Sequence, residues 1–207
     1  MLALTFSTGV IDAVGYLGLD RVFTGNMTGN VVILGMALTG ADGLPIVGPV
    51  VALALFMVGA ATSGFVLRPV AAGWSGRSTA LFAAVGALLL AGAVAISLAP
   101  ALALVVTGAL GLAMGAQAGA ARHIGVKDVT TVVVTSTIVG LAFDSVFGAR
   151  VGEHPWPRRV LAVALIGAGA AVGALLLHVH IGAGMGLAAL ITLACALLGH
   201  LGRPGPR

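Results

Sequence analysis

Along its length the chain alternates long apolar runs with short polar joints. Leu2–Leu19, Pro45–Leu67, Thr79–Ala99, Ala101–Ala121, Val160–Leu177 and Ile181–Leu201 are each long enough to cross a bilayer as a helix, given about 20 residues per span. Val22–Leu38 and Val129–Phe147 differ in kind. The N-terminal half of the first carries Thr24, Gly25, Asn26, Thr28, Gly29 and Asn30, and that of the second Thr130, Thr131, Thr135, Ser136 and Thr137. Backbone this polar sits at membrane depth only where protein or a wet cavity surrounds it. Both stretches are therefore expected to be re-entrant or broken half-helices.

The pattern predicts an all-α integral membrane bundle, and the composition agrees. Of 207 residues, 59% are hydrophobic and 8% charged, whereas a soluble globule carries about 25% charged residues to cover its surface. The first stretch lacks the basic start and small-residue cleavage site of a leader, so it is expected to be the first span. The net charge of +4 comes from bases at the ends of segments. They are not clustered with aromatics on one face, which argues against nucleic acid as a partner. They serve better as topology signals. If the two polar stretches do not cross, the Arg68–Arg77 loop, the Arg122/Lys127 turn, the Arg150–Arg159 loop and the Arg203–Arg207 tail fall on one face, as the positive-inside rule requires. Six full spans with both termini cytoplasmic satisfy that rule.

The order of elements is span, half-helix, span, span, then the same again, giving one membrane domain built of residues 1–99 and 100–207. Three crossings per unit make the second unit an inverted copy, a 3+3 inverted repeat. A shift of 107 positions aligns Gly18 with Gly125, Val22 with Val129, Thr24 with Thr131, Thr28 with Thr135, Val32 with Val139 and Leu34 with Leu141. Paired interrupted segments in inverted repeats are a pointer to transporters, whose sites form at the repeat interface.

Asp12 lies inside the first span, where a carboxylate costs about 2.5–3.5 kcal/mol on insertion scales and faces a partner or water. It reads either as a proton or cation site or as a group tied to neighbouring hydroxyls for packing. Tyr16 shares its face at i+4. In a helical Thr24–Asn30, Asn26 and Asn30 would share one face, Thr24 and Thr28 another, and Gly25 and Gly29 a close-packing one. That stretch would suit an anion or polar solute at a helix N-terminus, or serve as polar glue between helices. Thr131 and Thr135 are its counterparts in the second half. Gln117 is an unusual amide at span depth, read as a ligand contact or interhelical glue. Gly111, Gly115 and Gly119 form a ridge for helix packing, and dimerisation through such glycine-rich faces is the assembly the sequence invites. Asp144 is expected to cap its half-helix by pairing with Arg150 or Arg158. The single Cys195 and the interfacial His178, His180 and His200 complete no metal set, no cofactor is implied, and no hydrolase or phosphate-loop motif is present.

The run Gly9-Val-Ile-Asp12-Ala13, then Tyr16-Leu17-Gly18, then Phe23-Thr24-Gly25-Asn26-Met27-Thr28-Gly29-Asn30-Val31 resembles the YoaK family of bacterial multi-pass membrane proteins. Met114-Gly115-Ala116-Gln117, Arg122, Gly125-Val126 and Asp128–Thr135 extend the resemblance over nearly the whole chain. It departs at Thr24-Gly25, where the family has a hydrophobic and a small residue, and at Gly119. The resemblance implies an inner-membrane protein, sometimes described as a small-molecule permease, and supplies no substrate. Together these features predict a small-solute secondary transporter rather than an enzyme, with the lipid bilayer and an unknown solute or ion as partners. Protonation of Asp12 would couple transport to the proton gradient, and Asp12 and Gln117 would face the cavity. The alternatives are a passive channel and a non-transporting accessory membrane protein.

Overall fold

The computed structural model describes residues 1–41, 43–125, 134–144 and 156–203, and over these it is helical with no strand. The helices are α1 (Leu2–Gly18), α2 (Met27–Leu38), α3 (Val47–Leu67), α4 (Gly76–Leu98), α5 (Ala103–Ile124), α6 (Val134–Phe143), α7 (Trp156–Leu177) and α8 (Ile181–Leu201). The α3, α4, α7 and α8 helices, and α5 with the 3-10 turn before it, are long and apolar enough to cross a membrane, making five candidate spans. At 17 residues, α1 rises about 25 Å, a little short of a bilayer's hydrocarbon core. It stops at Gly18 because the chain reverses there through Asp20 and Arg21, both in the left-handed region.

Large side chains point outward from these helices, among them Phe65, Leu98 and Leu198, at 78%, 80% and 68% exposure. Between the helices lie small residues. In α1 and α7, a methyl added to Gly9 would strike the Ile166 carbonyl, and one added to Gly169 would strike the Phe6 carbonyl. In α3 and α5, Gly115 meets the Phe56 carbonyl and Gly59 that of Leu112 in the same reciprocal way. Lipid tails give no hydrophobic drive for helix association, so close backbone approach at small residues supplies the van der Waals contact instead. The expected ridge of Gly111, Gly115 and Gly119 does pack, against Ala52, Phe56 and Ser63 of α3. That face is consumed within the protomer and is not open for a dimer.

Both glycine-linked pairs run parallel. The α4 and α8 helices are antiparallel, with Gly86 beside Ala189 and Leu193 and Gly182 beside Ala93. The other antiparallel neighbours are α4 with α5 and α1 with α8, and α2 and α6 lean on α3 and α7 respectively. The largest core cluster joins Val10, Ile11, Leu89, Leu110, Met114, Met185 and neighbouring residues at the centre of the bundle.

Two contacts define the path of α2. Arg21, just after α1, donates to the Gly43 carbonyl at 3.0 Å, and Gly48 at the start of α3 sits against Val22. The chain thus leaves α1 and enters α3 at the same end of the bundle. At the opposite end, Arg77 donates to the Val66 carbonyl at 2.8 Å, and Leu4, Leu67, Phe82, Ala120 and Ala196 form a second core cluster flanked by Met1, Trp74 and Ile124. Arg68, Arg77, Arg122 and Arg203 belong to that end.

Candidate functional site

The site begins with an unmet need. The amides at a helix start have no intrahelical partner, and α2 starts beside the middle of α1. Asp12 Oδ1 accepts from the backbone N–H groups of Thr24 at 3.0 Å, Gly25 at 2.7 Å and Asn26 at 3.4 Å. Asn26 then caps α2, its Oδ1 accepting from the Gly29 amide at 3.2 Å. Asn30, fully buried, grips one peptide from both sides. Its Oδ1 accepts from the Phe23 amide at 2.9 Å and its Nδ2 donates to the Phe23 carbonyl at 2.6 Å.

These bonds correct the expected helix. It starts at Met27, so Thr24 and Gly25 lie in the lead-in chain, and neither pairs with Thr28 or Gly29 along a helix face. Asp12 and Asn30 hold that chain in a non-helical bend because they satisfy its backbone in place of a further helical turn. The amides of the lead-in, from Thr24 to Asn26, are filled by the protein's own carboxylate, and the Gly29 amide of the first turn by Asn26.

Beside this junction lies a cavity of about 530 Å³, lined by Thr8, Asp12, Tyr16, Phe23, Gly25, Asn26, Thr28, Gly29, Val32, Ile33, Val134, Thr135 and Ile166. Tyr16 and Phe23 stack on its wall, with ring centroids 4.8 Å apart. The Oδ2 of Asp12 accepts no hydrogen bond from a described residue, and Asp12 lines the cavity. The first turns of α2 and of α6 both reach this space, so Thr28 and Thr135 line one chamber.

Of the expected site residues, Asp12, Tyr16, Asn26, Thr28 and Thr135 come together there. Thr131 lies outside the described residues. Thr24 and Asn30 are buried behind the wall and do not line the chamber. Gln117 is a correction too: it is fully buried and donates to Thr8 Oγ1 at 3.3 Å instead of facing the cavity. It stands where α5 crosses α1, and the close glycine packing of α5 on α3 fixes which way it points. Asp144 pairs with Arg159 at 2.6 Å, not with Arg158, while Arg150 lies outside the described residues. Of the lining residues that the sequence reading did not single out, Thr8 and Phe23 bear most on the site. Thr8 is one turn before Asp12 on the same face and was open to that inference. Phe23 reaches the wall through the reversal after α1, which no periodicity reports. Among the described residues no group of His, Cys, Asp or Glu could hold a metal ion.

Apolar helices that present large side chains outward and glycines inward, with polar groups gathered at one open cavity, define a multi-pass helical membrane protein. The sequence matches the family described as Protein of unknown function (DUF1275) over residues 1–198, and the chain belongs to that family. It is 28% identical over 143 residues to the UPF0700 transmembrane protein YoaK of Bacillus subtilis (strain 168), a match covering 68% of this chain and 64% of that protein. The matched stretch thus spans a little under two thirds of the relative's length. No solved structure matches.

Proposed function

We infer that the protein is a small-solute transporter of six crossings and two half-helices, arranged as an inverted repeat of residues 1–99 and 100–207. The packing supports this reading. Each helix pair has a counterpart four helices on: α1 with α7 answers α5 with α3, α1 with α8 answers α5 with α4, and α2 with α3 answers α6 with α7. The reciprocal glycine contacts repeat the correspondence residue by residue, Gly9 and Ile166 matching Gly115 and Phe56. In this reading α1 is the sixth crossing, because its ends reach opposite ends of the bundle. The α2 helix turns back on one side and α6 on the other. The arginine-rich end is cytoplasmic by the positive-inside rule, with both termini there.

The observation that carries the transport reading is the shared chamber, walled by the first turns of both half-helices with Asp12 beside them. Discontinuous helices that meet at a repeat interface build solute sites, and about 300–1,000 Å³ is the usual size of a small-molecule cavity. A carrier fits better than an open channel, because the groups converge on a chamber and not along a continuous pore. The test is uptake of a labelled metabolite panel by proteoliposomes, with and without a proton gradient. A carried solute should lose uptake in Thr28→Trp and Thr135→Trp, which fill the chamber. Uptake unchanged by both fillers removes the reading.

A further inference from the structure

We propose that the chamber takes a small organic cation of the alkylammonium type, and that a proton takes the same place on Asp12 when the cation leaves. This rests on the transport reading and names its substrate class. Asp12 is the one formally charged residue among the described residues lining the chamber, and no Lys, Arg or His joins it there. Its two oxygens are not equivalent. Oδ1 is committed to the amides of Thr24, Gly25 and Asn26, and Oδ2 remains as the acceptor within the chamber. An anion in the chamber would lie against that carboxylate, and the amides of the lead-in to α2 that could hold it are already taken by Oδ1. A neutral solute supplies no countercharge. A cation does, and the stacked Tyr16–Phe23 pair adds aromatic rings to the wall, which attract an ammonium group through the ring quadrupole.

Size separates an organic cation from a metal ion. A hard cation asks for about six to eight oxygens in contact, and the chamber offers one carboxylate in about 530 Å³, lined by Phe23, Val32, Ile33, Val134 and Ile166 as well as by hydroxyls. That space suits a molecule with an apolar body and one positive head. Proton and cation compete for Oδ2, so loading one expels the other and the two move in opposite directions. Among the described residues, Tyr16 is the one other titratable group lining the chamber. Of the described charged or titratable groups near α1, Asp20 and Arg21 lie beyond its end, and His180 caps α8 by accepting from the Gly182 amide at 3.0 Å. None of them lines the chamber.

The test uses the full chain in nanodiscs of neutral phospholipid and three probes of one shape: choline, its uncharged carbon isostere 3,3-dimethyl-1-butanol, and the anion 3,3-dimethylbutyrate. Titration calorimetry is expected to show choline binding at least about tenfold tighter than either of the others. The bound choline should release protons, read as a dependence of the heat on the buffer's ionisation enthalpy. Asp12→Asn should abolish the preference, and Tyr16→Leu should weaken choline by about three- to tenfold. Equal or tighter binding of the alcohol or the anion overturns the proposal, as does binding of none of the three. The probe comparison on the unmodified protein decides this even where a variant folds poorly. A parallel flux measurement with labelled choline in proteoliposomes separates the two readings. Choline bound but not carried removes transport and leaves the site; a different solute carried without choline binding removes the site and leaves transport.

Discussion

Asp12 Oδ1 and the backbone nitrogen of Gly25 meet at 2.7 Å, the shortest of the three bonds by which the middle of α1 holds the lead-in to α2. One carboxylate oxygen thus fastens the lead-in to a short helix in a different part of the chain. Removing it leaves three amides facing a partly buried space, and an orphaned buried donor costs about 1–3 kcal/mol. Asp12→Ala should therefore lower the thermal midpoint in detergent by several degrees. Asp12→Asn keeps a carbonyl acceptor and should hold most of the stability while losing cation binding. Equal midpoints for Ala and wild type would show that the bonds contribute nothing.

Asn30 is the second fastening. Its side chain pairs with the Phe23 peptide as a strand neighbour would, through both donor and acceptor. No other side chain of that length offers both groups to one peptide. Asn30→Asp loses the donor and Asn30→Leu loses both, so the expected order of stability is Asn, Asp, Leu, with a loss of about 2–4 kcal/mol for Leu. Unfolding midpoints across the series check that order. Because Phe23 forms the chamber wall, choline affinity should fall in parallel.

Much of this architecture was legible in the sequence, and the residues show where legibility ended. The shift of 107 aligned Thr28 with Thr135, and both threonines line the chamber. The helix contacts pair Gly9 with Gly115 and Gly59 with Gly169, offsets of 106 and 110. A single shift cannot follow loops of unequal length. Asp12 announced itself because a charge inside an apolar run has few bland explanations. Its use as a cap was hidden, because the partner amides carry no side-chain signal and periodicity cannot see a chain reversal. Gln117 and Asn30 looked like Asn26 on paper. Which polar side chain meets a chamber and which meets a neighbouring helix depends on rotation about the helix axis, set by glycine contacts with segments far away in sequence.

Those glycine contacts give a discriminating test within one helix. A methyl at Gly169 meets the Phe6 carbonyl, whereas a methyl at Gly167, two positions away, meets nothing within 4 Å. Gly169→Ala should destabilise by about 1–3 kcal/mol through forced separation of α1 and α7. Gly167→Ala should be neutral or slightly stabilising, since alanine is the better helix former. Gly115→Ala, set against Phe56, should behave like Gly169→Ala. Denaturation of the four proteins side by side reads the contrast, and equal effects at Gly167 and Gly169 would contradict the packing.

The Asp144–Arg159 pair, at 2.6 Å with side chains 21% and 15% exposed, ties the end of α6 to the start of α7. It is partly screened by solvent, so Asp144→Asn is expected to cost no more than about 1 kcal/mol. Its larger effect should be local. Hydrogen exchange across Val134–Phe143 should quicken in Asp144→Asn while exchange in α4 and α8 stays unchanged. Uniform quickening throughout the bundle would point to a global loss of stability instead.

The path of α2 decides the topology, and it can be read by labelling. Arg21 bonds to Gly43, so the chain on either side of α2 lies at one end of the bundle, and an α2 that crossed would separate those residues by the full membrane. In a Cys195→Ala background, single cysteines at Asp20 and Ala41 should react with an impermeant maleimide from the same side of intact cells. Cysteines at Ala71 and Ala72, between α3 and α4, should react only after the membrane is opened. Labelling of positions 20 and 41 from opposite sides would make α2 a full crossing. It would also put Met1 and the Arg68–Arg77 loop on opposite faces, although Met1 and Trp74 flank one core cluster. A re-entrant α2 avoids that conflict because its 12 residues rise about 18 Å, enough to reach from the depth of Asp12 back to the surface it came from and too short to reach the other.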